Sequence, residues 1–307
     1  MPPQPYFRHC HLAPDGQHLP KSNIAQTTDA LILMTETLKN RLALTPLTYS
    51  ATAGRWRTEA MRSHASPRLL YFFKGQGRIT VAGLTSGYGP NNLIFIPAHV
   101  MYGFEAGPTV HGFMLTIPAA MAADWPEEHT HLRLRDVHGQ KEIAQHFENL
   151  ERELGSSRSG HSRAALHYLG ILSVYFQRQL ETRQPEPNDL RSQTAQARLV
   201  AAYTDLVERD YASRQGVADY ARSLGVTPTH LTRCCQQTCG RSALAILNDR
   251  ILYEARLLLR ETRTPVKDIA QSLGFASPAY FSRSFQARTG KSPTLFRKQG
   301  QGRNLAG

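Results

Sequence analysis

Cysteine is scarce in this sequence, long apolar runs are missing, and acidic residues are few where positive charge is densest. The cysteines are Cys10, Cys234, Cys235 and Cys239, and no two of them form a CxxC pair. Zinc-ribbon and thioredoxin-like chemistry are therefore unsupported. Cys235 and Cys239 share a helical face, where a buried thiol behaves as a small hydrophobe. No stretch of 18 apolar residues exists, which excludes a membrane-spanning helix. The first residues, MPPQPYFRHCHLAPDG, lack a basic-then-apolar signal pattern, so a cytoplasmic location is expected.

What is present is basic charge in one region. The formal net charge is +12 over 307 residues. Residues 194–300 carry 16 Lys and Arg against 8 Asp and Glu, and residues 262–300 carry 7 against 1. Charge gathered on one small region points to a polyanion partner, with a solvated basic face as the plain alternative.

The texture of the chain changes twice. Residues 1–45 read as an N-terminal arm rich in Pro, His and polar groups, with a short helix expected over 29–42. From 46 to 135, short aromatic or β-branched runs (Leu69–Phe73, Arg78–Ala82, Leu93–Ile96, Phe113–Ile117) alternate with Gly and Pro. Such spacing predicts an antiparallel sandwich or barrel. Residues 136–181 read as helical, with helices over 140–154 and 162–180. In the second, Leu166, Leu169, Leu172, Phe176 and Leu180 form an apolar stripe, which fits a homodimer contact or packing on its own domain. Residues 182–193, TRQPEPNDLRSQ, read as a linker. Residues 194–300 are all helical.

That last region contains one pattern twice, 50 residues apart. Leu231, Arg233, Gly240 and Ser242 match Phe281, Arg283, Gly290 and Ser292. In the second copy Thr264 is read as an N-cap and Pro265 as the first helical residue. Val266, Ile269, Ala270 and Leu273 supply an apolar face, and Gly274 ends the helix. Ser277-Pro278 then opens a second helix, with Phe281 and Phe285 inward. Ala279, Ser282, Arg283 and Gln286 point elsewhere. In the first copy Val217, Tyr220, Ala221 and Leu224 support, Gly225 turns, and Thr227-Pro228 opens the helix. Leu231 and Cys235 face inward, leaving Thr229, Thr232, Arg233 and Gln236 outward. Each copy is a helix-turn-helix whose second helix suits a DNA major groove. Between them runs a helix capped by Ser242, with Leu244, Leu247, Ile251, Ala255 and Leu258 as its apolar stripe. Its roughly 17 helical residues span about 26 Å, which lets one rod hold two reading heads in successive grooves.

Residues 194–300 resemble the DNA-binding domain of the AraC/XylS family of bacterial transcription regulators. The stretch PVKDIAQSLGFASPAYFSRSFQARTGKSPTLFR carries the resemblance. By position, it implies base-reading by Thr229, Thr232 and Arg233 in the first head and by Ala279, Ser282 and Arg283 in the second. Arg241, Lys291 and Arg297 are expected on phosphates. The family has Phe where Cys235 stands, so looser packing is expected in the first head. Residues 68–104 resemble a cupin barrel, the sensor of many such regulators, through Gly75-x-Gly77 and the Gly89…Pro97 spacing. Enzymatic cupins hold a metal with three His and a Glu. Those places here are Arg62, His64, Arg68 and Tyr102, so no metal or other cofactor is expected. A barrel mouth still suits a small molecule, and Arg62, His64, Arg68, Tyr71 and Tyr102 are the candidate effector residues for an anionic or aromatic ligand.

The resulting expectation is a multi-domain chain: a cupin-like sensor barrel with following helices, then an all-α domain with two helix-turn-helix units. Its expected function is sequence-specific, effector-controlled transcription regulation on double-stranded DNA, without enzyme activity and away from membranes. The resemblance implies an activator that contacts RNA polymerase. The alternatives are a metal-dependent cupin enzyme with an appended nucleic-acid module, and a constitutive dimeric DNA-binding protein without an effector.

Overall fold

The computed structural model describes residues 41–48, 56–183 and 187–301. Nearly all of the expected arm lies outside them, including the helix expected over 29–42 except Arg41 and Leu42, which are not helical.

Eight strands come first: β1 (Ala43–Thr48), β2 (Arg68–Lys74), β3 (Gly77–Val81), β4 (Leu84–Tyr88), β5 (Asn92–Ile96), β6 (Tyr102–Phe104), β7 (His111–Thr116) and β8 (Thr130–Arg133). They form a five-stranded sheet in the order β1-β7-β2-β5-β8 and a three-stranded sheet in the order β4-β3-β6, with every pairing antiparallel. Strand β2 explains the unbroken apolar run LLYFF, Leu69–Phe73. Alternate side chains leave opposite faces of a strand. Leu70 and Phe72 face the three-stranded sheet, where they meet Ile79, Val81, Tyr102 and Phe104. Leu69 and Tyr71 face outward, into a second core with the following helices. A strand buried on both sides needs apolar residues at every position. Strand β8 lies after Phe113–Ile117, the last of the runs named in the sequence, and still within the 46–135 span.

A single-turn helix α1 (Trp56–Glu59) precedes β2. After β8 come α2 (Val137–Leu154) and α3 (His161–Thr182). Asp136 caps α2 by accepting from Gly139 N at 2.5 Å, so that helix starts three residues before the expected Gln140. Ile143, Phe147 and Leu150 of α2 and Leu169, Leu172 and Phe176 of α3 cover the outer face of the large sheet. Most of the expected α3 stripe is thus used inside its own domain. Leu166 is the exception, exposed with Ile171 and Val174 on the opposite side.

The expected linker contains a short helix, α4 (Pro187–Ser192). The C-terminal region follows as α5 (Ala195–Asp210), α6 (Val217–Ser223), α7 (Pro228–Cys239), α8 (Ala243–Glu261), α9 (Val266–Ser272), α10 (Pro278–Thr289) and α11 (Pro293–Gln301). Helix α9 begins one residue later than expected, with Pro265 rather than Thr264 at its cap. Helices α6–α7 and α9–α10 are the two helix-turn-helix units, and α8 is the rod between them. At 19 residues it is about 28 Å long. Its face differs in part from the expected stripe: Leu244 is exposed, while Ile246, Arg250, Tyr253 and Leu259 are buried. The rod packs on several neighbours, so its buried surface is wider than one stripe.

Arg250 is the strut of this region. Its Nε and Nη2 donate to the Glu208 carboxylate at 2.6 and 3.2 Å, and its Nη1 donates to Glu254 at 2.9 Å. Its guanidinium lies 3.9 Å from the centre of the Tyr211 ring. Burial works against the charge, but the two carboxylates outweigh it and the Arg250 pKa rises.

Candidate nucleic-acid interface and effector cavity

Both reading helices begin in the way their sequences dictate. Thr227 accepts from His230 N at 3.2 Å, and Ser277 accepts from Tyr280 N at 3.2 Å, with Pro228 and Pro278 as first helical residues. The inward positions are filled as the repeat requires. Leu231, Cys235, Phe281 and Phe285 are all buried. Cys235 sits in a closed cluster with Tyr203, Tyr220 and Ile246. Burial pushes its thiol up to about 12, so it is a packing atom and not a nucleophile at neutral pH.

The second turn is fixed by more than conformation. Gly274 has φ +78°, and a Cβ there would lie 2.6 Å from the Ala212 carbonyl oxygen. The turn therefore presses on the loop after α5, tying the second head to the helix that supports the first.

The outward faces are open. Thr229, Arg233, Ala279 and Arg283 are exposed, and Thr232 and Ser282 are half-buried. Arg233 donates to His230 Nδ1 at 3.0 Å, which aligns its guanidinium along α7. Arg283 makes no hydrogen bond or ion pair among the described residues. The residues expected on phosphates differ among themselves. Lys291 is exposed, with Nζ donating to Gln299 at 2.7 Å. Arg297 is turned inward, donating to the carbonyls of Thr264 at 2.5 Å and Leu259 at 3.3 Å. Arg241 pairs with Asp249 and donates to the Glu59 carbonyl at 3.3 Å. Both of these arginines, expected on phosphates, spend donors inside the chain.

The Arg241–Glu59 contact belongs to a larger junction between the sheets and the first head. Met61 and Met101 of the barrel are buried in one cluster with Val200, Tyr203 and Val207 of α5. Gly83, with φ +74°, lies against the Val200 side chain with no room for a Cβ. Arg191 of α4 donates to the Thr85 carbonyl at 3.2 Å. The C-terminal end of α7 and the middle of α8 thus face the barrel, while the Thr229–Arg233 end of α7 does not take part.

The five candidate effector residues do not form one site. Arg62, His64, Arg68 and Tyr102 are grouped: the His64 and Tyr102 rings are 5.8 Å apart, and the Arg62 guanidinium is 4.5 Å from the Tyr102 ring centre. Tyr71 leaves the other face of β2, stacks near Phe147 of α2 and donates to Asn91 at 3.5 Å. The one-residue alternation of a strand separates it from Arg68. Sequence reasoning missed Tyr253, whose ring centre lies 5.9 Å from Arg62 across the junction. It also missed a cavity of about 440 Å³ between the two sheets. Ile79, Val81, Leu84 and Ile94 of the strands line it, together with Thr130 and His131 of β8 and with Arg183, Ser192 and Gln193 from the end of α3 and the linker. A volume of this size suits a small organic molecule.

Residues 47–170 match the AraC-like ligand binding domain family, and residues 220–299 match a helix-turn-helix domain family. The chain is 25% identical over 230 residues to the arabinose operon regulatory protein of Escherichia coli (strain K12), covering 73% of this chain and 77% of that protein. The protein of the same name from Salmonella typhimurium is likewise 25% identical, over 73% of this chain and 80% of its own length. An uncharacterized helix-turn-helix transcriptional regulator of Escherichia coli, YijO, is 31% identical over 101 residues, which is 33% of this chain and 36% of that one. With a sensor-type barrel, two capped reading helices on one rod, and these matches to both halves, the chain belongs to the AraC family of transcription regulators.

Proposed function

We propose that this regulator reads DNA with both heads and is controlled by a small molecule bound in its barrel. The observation that carries this reading is the shared lining of the cavity. Barrel residues and the linker residues Ser192 and Gln193 both line it, so a ligand there contacts the segment that leads to the DNA-binding helices. A ligand shifts a conformational balance only through contacts that differ between states, and a linker in the lining can supply such a difference.

On the DNA side, Thr229, Thr232, Arg233, Ala279, Ser282 and Arg283 meet base edges, and exposed Lys291 meets a phosphate. Arg241 and Arg297 serve this reading as braces. The exposed Leu166, Ile171 and Val174 on α3 support a homodimer contact. Activation through RNA polymerase belongs to the same proposal. The working division is a barrel over 46–135, a dimerisation segment over 136–181, a linker over 182–193 and a reading domain over 194–300.

The test is fluorescence anisotropy on a DNA site selected from random sequence, at fixed salt. Arg283→Ala is expected to lose about 1–3 kcal/mol on the selected site and to relax preference at one base pair. Loss of the same size on random DNA would make Arg283 a phosphate contact and remove it from the reading set.

A further inference from the structure

Two guanidinium groups lie inside the barrel with no carboxylate on either, among the described residues. Arg62 is 3% exposed and Arg68 is 8% exposed. Arg62 is well provided for: its Nη1 donates to the Thr58 and Ala60 carbonyls at 2.8 and 3.3 Å, and its plane is surrounded by the rings of Tyr102, Phe104 and Tyr253. Arg68 is not. Its Nε and Nη1 are buried and have no acceptor among the described residues. Arginine does not escape such a position by losing its proton. A buried donor without an acceptor is costly, and a charged one more so. Burial lowers the Arg68 pKa; the Tyr102 hydroxyl, beside the guanidinium, works against this, and the Arg62 charge works with it.

The 440 Å³ cavity lies along the same strands as Arg68. Arg68 is the first residue of β2 and lies on the same face as Leu70 and Phe72, toward the barrel interior. It is paired in register with Ile96 of β5, next to the Phe95–Thr130 pair, and Thr130 lines the 440 Å³ cavity. Arg68 itself does not line that cavity: it stands opposite Ile96, two residues along β5 from the lining residue Ile94, with Tyr102 opposite the lining residue Val81 on the facing sheet.

We propose that the barrel ligand is a carboxylate and that Arg68 receives its charged end. The surroundings select the class. Leu70, Ile96 and Phe104 are apolar and buried, which suits a monoanion with an apolar body. A phosphate dianion would need more donors than one partly free guanidinium supplies. The inference rests on the barrel being the effector domain and adds the chemistry of what it takes.

The experiment uses the full chain and a panel of acetate, hexanoate and benzoate. Benzyl alcohol is the neutral control, inorganic phosphate the rival anion, and chloride the ionic-strength control. Thermal melts and calorimetric titration are run on the wild type, Arg68→Met and Arg68→Lys. A ligand that binds only the native state raises Tm saturably. At least one carboxylate is expected to do so in the wild type, with at least tenfold weaker binding in Arg68→Met and partial recovery in Arg68→Lys. Without ligand, Arg68→Met is expected to melt no lower than wild type, because it removes a buried unpaired charge; a merely structural arginine would give a large fall. The proposal is overturned if no carboxylate acts beyond chloride, if Arg68→Met binds as tightly as wild type, or if phosphate matches the best carboxylate. The two readings fail separately. Arg68-dependent carboxylate binding with no change in DNA affinity keeps this site and ends effector control. A neutral compound that shifts DNA affinity equally in wild type and Arg68→Met keeps effector control and ends the carboxylate assignment.

Discussion

Arg250→Ala is the substitution with the most calculable consequence. The Arg250 side chain is 6% exposed, and its partners Glu208 and Glu254 are 12% and 21% exposed. Truncation deletes three charge-assisted hydrogen bonds and the stack on Tyr211, and strands two carboxylates in a poorly solvated place. Breaking a buried pair in this way costs about 3–5 kcal/mol. A helical domain of this size loses roughly 4–8 °C for each kcal/mol, so its melting transition should fall by about 12 °C or more. Circular dichroism melts of wild type, Arg250→Ala and the triple variant Arg250→Met/Glu208→Gln/Glu254→Gln make the comparison. Uncharged replacement of the whole cluster is expected to recover most of the loss, because desolvation and attraction nearly cancel in a complete pair. A loss under about 1 kcal/mol for Arg250→Ala would refute the strut, and so would a triple variant as unstable as the single one.

Three further outcomes follow from the packing. Gly83→Ala meets both a left-handed backbone and the Val200 side chain, so it should loosen the barrel from the first head; limited proteolysis should cut sooner in the 184–194 segment, and Val200→Ala in the same chain should restore part of the protection. Cys235→Phe should cost about 1–3 kcal/mol by overpacking, as read from denaturant midpoints, because Tyr203 and Tyr220 already close the space around the thiol. If the proposed α3 dimer forms, Ile171→Glu with Val174→Glu should leave the melting temperature within a few degrees and shift sedimentation to the monomer; an unchanged sedimentation coefficient would remove α3 from the proposed contact.

The helical half was legible because its signals are local. Thr227-Pro228, Ser277-Pro278 and Ser242 each fix a helix start through a neighbouring backbone N–H, and the 50-residue repeat made each copy a check on the other. The barrel was legible as a class, through its short runs and Gly punctuation, but β1, which begins inside the expected arm, and β4, β6 and β8 were not picked out. A short strand takes its identity from its partners rather than from its own sequence. The site residues divide on the same principle. Thr229, Arg233, Ala279 and Arg283 are outward by helical period alone. Arg297 is drawn inward by the carbonyls of Leu259 and Thr264, more than 30 residues away, and Arg241 by Asp249, eight residues on, and by the distant Glu59, and no pattern within the repeat announces them. The Tyr203 that closes over Cys235 was illegible for a related reason, since it comes from α5, outside the repeat. Tyr71 was grouped with Arg68 by closeness in sequence, although three residues along a strand put them on opposite faces.

The central claim is that two heads on one rod read neighbouring turns of one duplex. Guanine methylation interference on a selected site, with the full chain and its Arg233→Ala and Arg283→Ala variants, tests it directly. The account predicts two major-groove patches about 10 base pairs apart per chain, with each variant erasing a different patch. One patch only, or the same patch erased by both variants, would contradict it.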